Sequence, residues 1–380
     1  MDESRPLWEM YTVSNLKDAG PDGDSNGVVY MRIHHNIGDG ISLIALVLKI
    51  FDKPPIVNKR APKSLPNIWP KVPPVLNACH TIRMMVQGVF EGVLFTLLPG
   101  DIDTVLKVPN VGLLGERHVA TSSKVDLEKI KDIKEKIGGT VNDVLIALLT
   151  GVLRRYLVAN CSKTDGQIRA LCLINMRDKS KMMTKHIELE NQWNFLPIPV
   201  PCGMTDPLDR LYFCKVYCDD QKISPANLVA YNLNNVVGKI VPPDIFCGMT
   251  YDLFNKCTTV FSNVPGPQGD VEMQGQKVQS ISFYSNSLSG TVFGLVSYNN
   301  AVQLSVAADK AVIADPQALV DHVHDEIDEL HRAVQGDFRK PALDMKRTGL
   351  DLTVTLLSIL LLFNLVKAAI YALLYMIGIF

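Results

Sequence analysis

No Cys-x-x-Cys pair occurs in this 380-residue chain, although it holds eight cysteines, at positions 79, 161, 172, 202, 214, 218, 247 and 257. That scatter argues against a zinc ribbon or a dithiol redox motif. Cys214 and Cys218 stand one helical turn apart, a spacing read here as packing. Excess charge of either sign is also missing. Lys and Arg number 38 against 39 Asp and Glu, and charged residues make up only 20% of the chain, so no basic stripe marks a nucleic-acid partner. There is no Walker loop, no dinucleotide-binding glycine fingerprint and no serine elbow. Internal repeats and low-complexity tracts are absent too. The opening Met1-Asp2-Glu3-Ser4-Arg5 is acidic and has no apolar h-region, so no signal peptide is expected. A reducing, cytosol-facing body is the corresponding expectation.

What is present begins with His34-His35-Asn36-Ile37-Gly38-Asp39-Gly40, a His-His-x-x-x-Asp-Gly run between two apolar stretches. Gly27 to Ile33 reads as a buried strand and Ile41 to Phe51 as an apolar helix. A histidine at a strand end, before a glycine turn, has its ring edge free to meet a substrate. Imidazole has an unperturbed pKa of about 6.5, so neutral His35 can take a proton from a hydroxyl or thiol. Asp39 lies past a glycine turn and reads as a structural carboxylate, fixing that turn through a buried ion pair or backbone N–H bonds. Gly38 and Gly40 are expected to supply backbone angles that other residues tolerate poorly. The competing reading is a His-rich strand end with Asp39 capping the next helix.

Hydrophobic residues reach 47%, enough for a large core plus membrane contact. The C-terminus is the extreme case: Leu352 to Phe380 is almost wholly apolar, interrupted by Asn364 and Lys367. Its length meets the roughly 20 residues that a bilayer core demands, as one tilted helix or a hairpin. Arg339, Lys340, Lys346 and Arg347 ahead of it favour a cytosolic flank. Between the ends, residues 52–78 are proline-rich and irregular, and 81–98 carry an apolar helical stripe. Asp126 to Ile137 predicts a charge-laced amphipathic helix with a solvated polar face, closed by Gly138-Gly139. A second apolar helix, entered through Thr140 to Leu149, runs to Leu157, and Thr140 or Asn142 can cap it. Strands are expected at 168–174, 258–261, 277–284, 291–298 and 302–307. A last amphipathic helix at 315–335 carries His322, His324 and His331 on a solvated surface.

Several of these segments occur in a telling order. After the histidine motif come Thr140-Val141-Asn142-Asp143-Val144, Leu153-Arg154-Arg155-Tyr156-Leu157, Asn175-Met176-Arg177, Asp206-Pro207-Leu208-Asp209-Arg210-Leu211, Ser262-Asn263-Val264-Pro265-Gly266-Pro267 and Ser297-Tyr298-Asn299. Together with Arg5-Pro6-Leu7-Trp8-Glu9, they resemble the wax ester synthase/diacylglycerol acyltransferase family over roughly residues 5–335. The resemblance implies an α/β, chloramphenicol-acetyltransferase-like fold of two lobes with a tunnel between them. It implies residues 1–60 as the remainder of the first lobe, 61–115 as a crossover with an amphipathic helix, 116–338 as the second lobe and 350–380 as a membrane anchor. The implied reaction is fatty acyl transfer from acyl-CoA, a substrate rather than a cofactor, to diacylglycerol or a long-chain alcohol, without a metal or an acyl-enzyme.

In that frame His35 is the base, His34 packs or orients it, and Asp39 and Gly40 support the loop, with Arg177 as the candidate partner of Asp39. Asn142 lies near the tunnel, Asp143 ties down the helix start, and Asn263 to Pro267 shape the opposing wall. The implied location is the endoplasmic-reticulum membrane, with the bilayer as a partner; oligomeric state stays open. One departure is visible: the family carries a substantial stretch ahead of the Pro-Leu-Trp segment, and this chain begins there. The first lobe is therefore expected to be incomplete. A catalytically silent, membrane-anchored lipid-binding fragment is the alternative.

Overall fold

The computed structural model describes residues 4–20, 22–23, 25–52, 99–109, 111–177, 189–224 and 226–336. The apolar tail 352–380, the 81–98 stripe and most of the proline-rich crossover lie outside the described residues. The chain divides into two units. One comprises Met1–Ala61, Pro99–Cys214 and Thr250–Phe338; the described part of the other is residues 215–224 and 226–249.

In chain order the first unit opens with β1 (Trp8–Ala19) and β2 (Ser25–Ile33), an antiparallel pair that forms its own two-stranded sheet. A short 3-10 turn, His35–Ile37, leads to α1 (Gly40–Val47). Next come β3 (Arg117–Thr121), β4 (Val125–Asp126), α2 (Leu127–Ile137), α3 (Val141–Ala159), β5 (Arg169–Asn175) and β6 (Trp193–Pro199). Three helices follow, α4 (Pro207–Ile223), α5 (Ala226–Ile240) and α6 (Pro243–Lys256). The chain then runs through β7 (Thr259–Pro265), β8 (Glu272–Met273), β9 (Gln276–Lys277), β10 (Thr291–Tyr298) and β11 (Ala301–Asp309). The described residues close on α7 (Gln317–Val320) and α8 (His322–Gln335). The fold is mixed α/β. Among the described residues its main sheet has seven strands in the order β3-β11-β10-β7-β5-β6, with β4 also paired to β11. β7 runs parallel to both β5 and β10, so those three strands end on the same side.

Spacing explains the helices. α2 buries Leu127, Ile130, Ile133 and Ile137 as one stripe; Asp126 caps its start and Gly138, at φ 65°, stops it in the left-handed region that favours glycine. α3 is buried from Asp143 to Leu153, as a helix apolar all round should be. Asp143 accepts the Thr140 amide at 2.7 Å and so ties the helix start down. α3 and α8 approach closely at Gly151, where a Cβ would come within 1.8 Å of Glu326 Cδ. The buried Glu326 carboxylate accepts from Arg155 at 2.9 Å and from the fully buried Arg210 at 2.7 Å. In the second unit, Lys215 and Lys222 of α4 both hold Asp219, the latter at 3.1 Å.

Several expectations need correction. Gly27 to Ile33 is a strand but not a buried one. Among the described residues it pairs only with β1, and Tyr11, Val28, Val29 and Tyr30 are exposed there. The apolar helix after the motif ends at Val47 rather than Phe51. The polar face of α2 is not merely solvated: Lys129 pairs with Asp328 at 2.5 Å, and Asp132 with His331 at 2.9 Å, across to α8. His324 likewise has a partner, Ser123 Oγ at 2.6 Å. The expected strand 277–284 shrinks to its first residue. Beyond it the chain crosses the sheet on side-chain hydroxyls instead of a ladder. Tyr298 donates to the Val278 carbonyl at 2.7 Å and Ser305 to the Phe283 carbonyl at 2.7 Å. Gly294 makes room, since a Cβ there would stand 2.9 Å from the Phe283 oxygen.

Cys214 is buried against Thr150 Oγ at 3.7 Å and Cys218 is also buried, so both cysteines pack. Among the described residues no single helix is long and apolar enough to cross a membrane. The pair α2 and α3 passes on length and composition, but it bends by 105° and α3 lies in the core.

Candidate active site

β2 ends at Ile33, and the His34 amide donates to the Leu7 carbonyl at 2.9 Å, so the histidines emerge where the hairpin stops. His34 is extended and its Nδ1 accepts the Asn36 amide at 3.2 Å, which starts the 3-10 turn. His35 sits on that turn with its ring exposed. Its Nδ1 lies 3.2 Å from Asn191 Oδ1, and the Asn191 amide nitrogen donates to the His35 carbonyl at 2.9 Å. Trp193 donates its indole N–H to the same Asn191 oxygen at 3.3 Å, and its ring stands edge-on to His35 at 6.0 Å. A chain of edge-to-face rings continues to Phe195 (4.6 Å) and Phe254 (4.9 Å).

Asp39 is buried, and its partners are a different set. One oxygen caps α1 by accepting the Ser42 amide at 3.1 Å. The other accepts from Arg177 Nη1 at 2.5 Å and from the Gln192 amide at 2.9 Å. Arg177 also donates to Ser42 Oγ at 2.7 Å and to the Glu190 carbonyl at 2.6 Å. Burial alone would raise the Asp39 pKa. The Arg177 hydrogen bond, the Ser42 and Gln192 amides and the Arg177 charge outweigh it and hold the carboxyl below its ordinary value.

The glycines serve space rather than unusual angles, another correction. Gly38 is extended at φ 169°, but a Cβ there would meet Ser42 Cβ at 2.8 Å. Gly40 is helical, and its Cβ would stand 3.2 Å from Val264 Cγ2 of β7.

Next to Val264 is Asn263, which donates to Asn142 Oδ1 at 2.6 Å. Asn142 lies in the first turn of α3 and is exposed. The structure thus groups the proposed residues into three sets. His35 stands against Asn191 and Trp193, Asp39 is locked to Arg177, and Asn142 pairs with Asn263; Gly40 joins the motif to the strand that carries Asn263. Asn263 lies toward the carboxyl end of β7 and Asn175 ends β5, so both stand at the same end of these parallel strands. Asp143 is buried beneath Asn142 and serves the helix start. Sequence reasoning missed Asn191, Trp193, Ser42 and the 190–192 backbone. Their one local signal is a polar Asn191-Gln192 pair opening an apolar strand. Among the described residues, no cluster of three or more His, Cys, Asp or Glu is placed to hold a metal ion.

Comparison with known proteins bears on the family. The wax ester synthase/diacylglycerol acyltransferase catalytic domain matches residues 1–145, and the C-terminal domain of the same family matches residues 189–331. Wax ester synthase/diacylglycerol acyltransferase 3 of Arabidopsis thaliana is 27% identical over 360 residues, covering 86% of this chain and 72% of the relative. The corresponding protein 7 of the same plant is 26% identical over 375 residues, covering 86% and 75%. Among solved structures, the Marinobacter aquaeolei VT8 wax ester synthase/diacylglycerol acyltransferase superposes with a TM-score of 0.56 at 19% identity, over 88% of this chain and 73% of that one. The starter condensation domain of rhizomide synthetase gives a TM-score of 0.50 at 11% identity, over 87% and 70%. At such identities the structural likeness speaks for the fold. Two family domains in order, with the histidine motif inside the first, settle the assignment: the chain belongs to the wax ester synthase/diacylglycerol acyltransferase family.

Proposed function

We propose that this chain is an O-acyltransferase that moves a fatty acyl group from acyl-CoA to the hydroxyl of diacylglycerol or a long-chain alcohol, with His35 as general base. The observation that carries the reading is the exposed His35 ring, held at a strand end by Asn191 while Asp39 is fully engaged elsewhere. His35 takes the acceptor's hydroxyl proton as the oxygen attacks the thioester carbonyl. The C–S bond then breaks, and the imidazolium returns the proton to the departing CoA thiolate. Asp39 takes no part in proton transfer, because Arg177, Ser42 and Gln192 occupy its two oxygens. A covalent route through the inward-lying thiols is disfavoured as well. Desolvation pushes the half-buried Cys172 and the buried Cys202, Cys214 and Cys257 up to about 12, so none is an activated nucleophile.

The test is direct. Purified full chain, given oleoyl-CoA with hexadecanol or with diacylglycerol, is expected to release CoA in step with ester formed. Folded protein that makes neither wax ester nor triacylglycerol would overturn the proposal and leave the silent lipid-binding fragment. For location, we place the chain at the endoplasmic-reticulum membrane through its apolar tail, the body facing the cytosol. A chain ending at Lys346 is expected in the supernatant after carbonate extraction while the full chain pellets. A pelleted short form would show that the body itself holds lipid.

A further inference from the structure

We infer that Asn191 is a positioning residue that sets the tautomer of His35, leaving Nε2 as the atom that takes the acceptor's proton. The inference rests on the reading of His35 as base. It starts from the Asn191 amide, whose orientation two neighbours fix independently. The His35 carbonyl can only accept, so it requires the amide nitrogen, 2.9 Å away. The Trp193 indole N–H can only donate, so it requires the amide oxygen, 3.3 Å away. Flipping the amide would set donor against donor and acceptor against acceptor. The oxygen therefore faces His35 Nδ1, at 3.2 Å.

An amide oxygen has no proton to give. The contact is a hydrogen bond only when Nδ1 carries the hydrogen, and a neutral imidazole has just one. Nε2 then presents a bare lone pair, which is what a base needs. His34 is held the opposite way: its Nδ1 accepts the Asn36 amide at 3.2 Å, so its neutral ring carries hydrogen on Nε2. Adjacent histidines thus differ in kind, one offering a lone pair and the other an N–H.

Asn191 is clamped on both sides by the Asp39 assembly. The Glu190 carbonyl accepts from Arg177 at 2.6 Å, Ser42 Oγ at 3.2 Å and the Asp39 amide at 3.2 Å. The Gln192 amide donates to Asp39 at 2.9 Å, and the Gln192 carbonyl accepts the Met176 amide at 2.9 Å. Asp39 therefore reaches the base through residues 190–192 without touching it. Asn191 is neutral, so it orients the ring without the charge that would favour imidazolium.

Two Asn191 variants and ¹⁵N NMR of histidine-labelled full chain test this, with His35→Gln assigning the His35 signals. Wild type is expected to show the neutral His35 ring protonated on Nδ1 and free on Nε2. Asn191→Leu is expected to shift the ring toward the Nε2–H form and to lower kcat at least about tenfold, part of the ~10²–10⁴ a general base supplies, with little change in KM for acyl-CoA. Asn191→Asp is isosteric and keeps the oxygen that faces Nδ1, while it gives up the N–H that the His35 carbonyl accepts. It is expected to retain the tautomer and move the acid limb of the pH–rate profile up by about one unit, the low end for a carboxylate beside a titrating group. A wild-type His35 protonated on Nε2 would overturn the inference, as would Asn191→Asp with an unmoved profile. If Asn191→Leu changes the tautomer while turnover holds, His35→Gln locates the failure. An active His35→Gln removes the base reading itself, whereas an inactive one removes only the role of the tautomer.

Discussion

Replacing His35 with alanine is expected to cut acyl transfer by about 10²–10⁴-fold, the range one well-placed general base contributes. That corresponds to about 3–5 kcal/mol of transition-state stabilisation at 1.36 kcal/mol per tenfold. Stability should hardly move. The ring is exposed, its hydrogen-bond partner Asn191 is exposed, and the Asn191 amide nitrogen bonds the His35 backbone carbonyl, which alanine keeps. Exposed substitutions of this kind fall within about 0.5 kcal/mol of wild type. Residual turnover above solution chemistry is also expected, because holding thioester and hydroxyl together contributes independently of the base. Transfer of labelled oleoyl-CoA to hexadecanol and to diacylglycerol reads the first effect, and thermal unfolding the second. Unchanged turnover in folded His35→Ala protein would move the base elsewhere.

What the sequence made legible follows the range over which each signal acts. α2 and α3 were readable because an apolar stripe of period 3.6 and a Gly-Gly stop are local facts. β10 appeared over its full span because Thr291 to Tyr298 is a run of β-formers between Gly290 and Asn299-Asn300, and its neighbours in the sheet bury it. β6 was missed because Pro197 and Pro199 argue against a strand; among the described residues β6 is the last strand of its sheet, a place where prolines are tolerated. The 277–284 stretch has strand-like composition, yet it lies across a face of the sheet. Only the distant residues Gly294, Tyr298 and Ser305 determine that. The β1–β2 hairpin shows the converse, since Val28, Val29 and Tyr30 look like core and stand exposed. In the site, the histidine motif is contiguous and so visible. Asn191 lies 156 positions from His35 and has no chemistry of its own to announce it. Its role exists only once Asp39 and Arg177 have brought residues 190–192 against the motif.

That dependence makes Asp39→Asn the more disruptive change for the fold. All the groups at the carboxylate are donors: Arg177 Nη1 and the Gln192 amide at one oxygen, the Ser42 amide at the other. An asparagine has one oxygen, so whichever way it turns, its NH₂ meets a donor. Arg177, with a side chain only 10% exposed, is left without its counter-charge. Breaking a buried pair in this way costs about 3–5 kcal/mol. Activity is expected to fall too, through the loosened 190–192 segment.

The pH dependence follows from the sign of the shift. The folded Asp39 pKa lies below the unfolded value of about 3.9. Its stabilisation is therefore complete above that value and is lost as pH falls through the folded pKa. Wild type should lose this contribution only below about pH 4, whereas Asp39→Asn lacks it at every pH. Unfolding midpoints at pH 7 and between pH 3 and 5 would show the gap between the two proteins closing on the acid side. Arg177→Met in the Asp39→Asn background removes the stranded charge and should recover part of the loss, a coupling that a double-mutant cycle measures. An Asp39→Asn protein that unfolds like wild type yet transfers no acyl group would place the carboxylate in the chemistry itself.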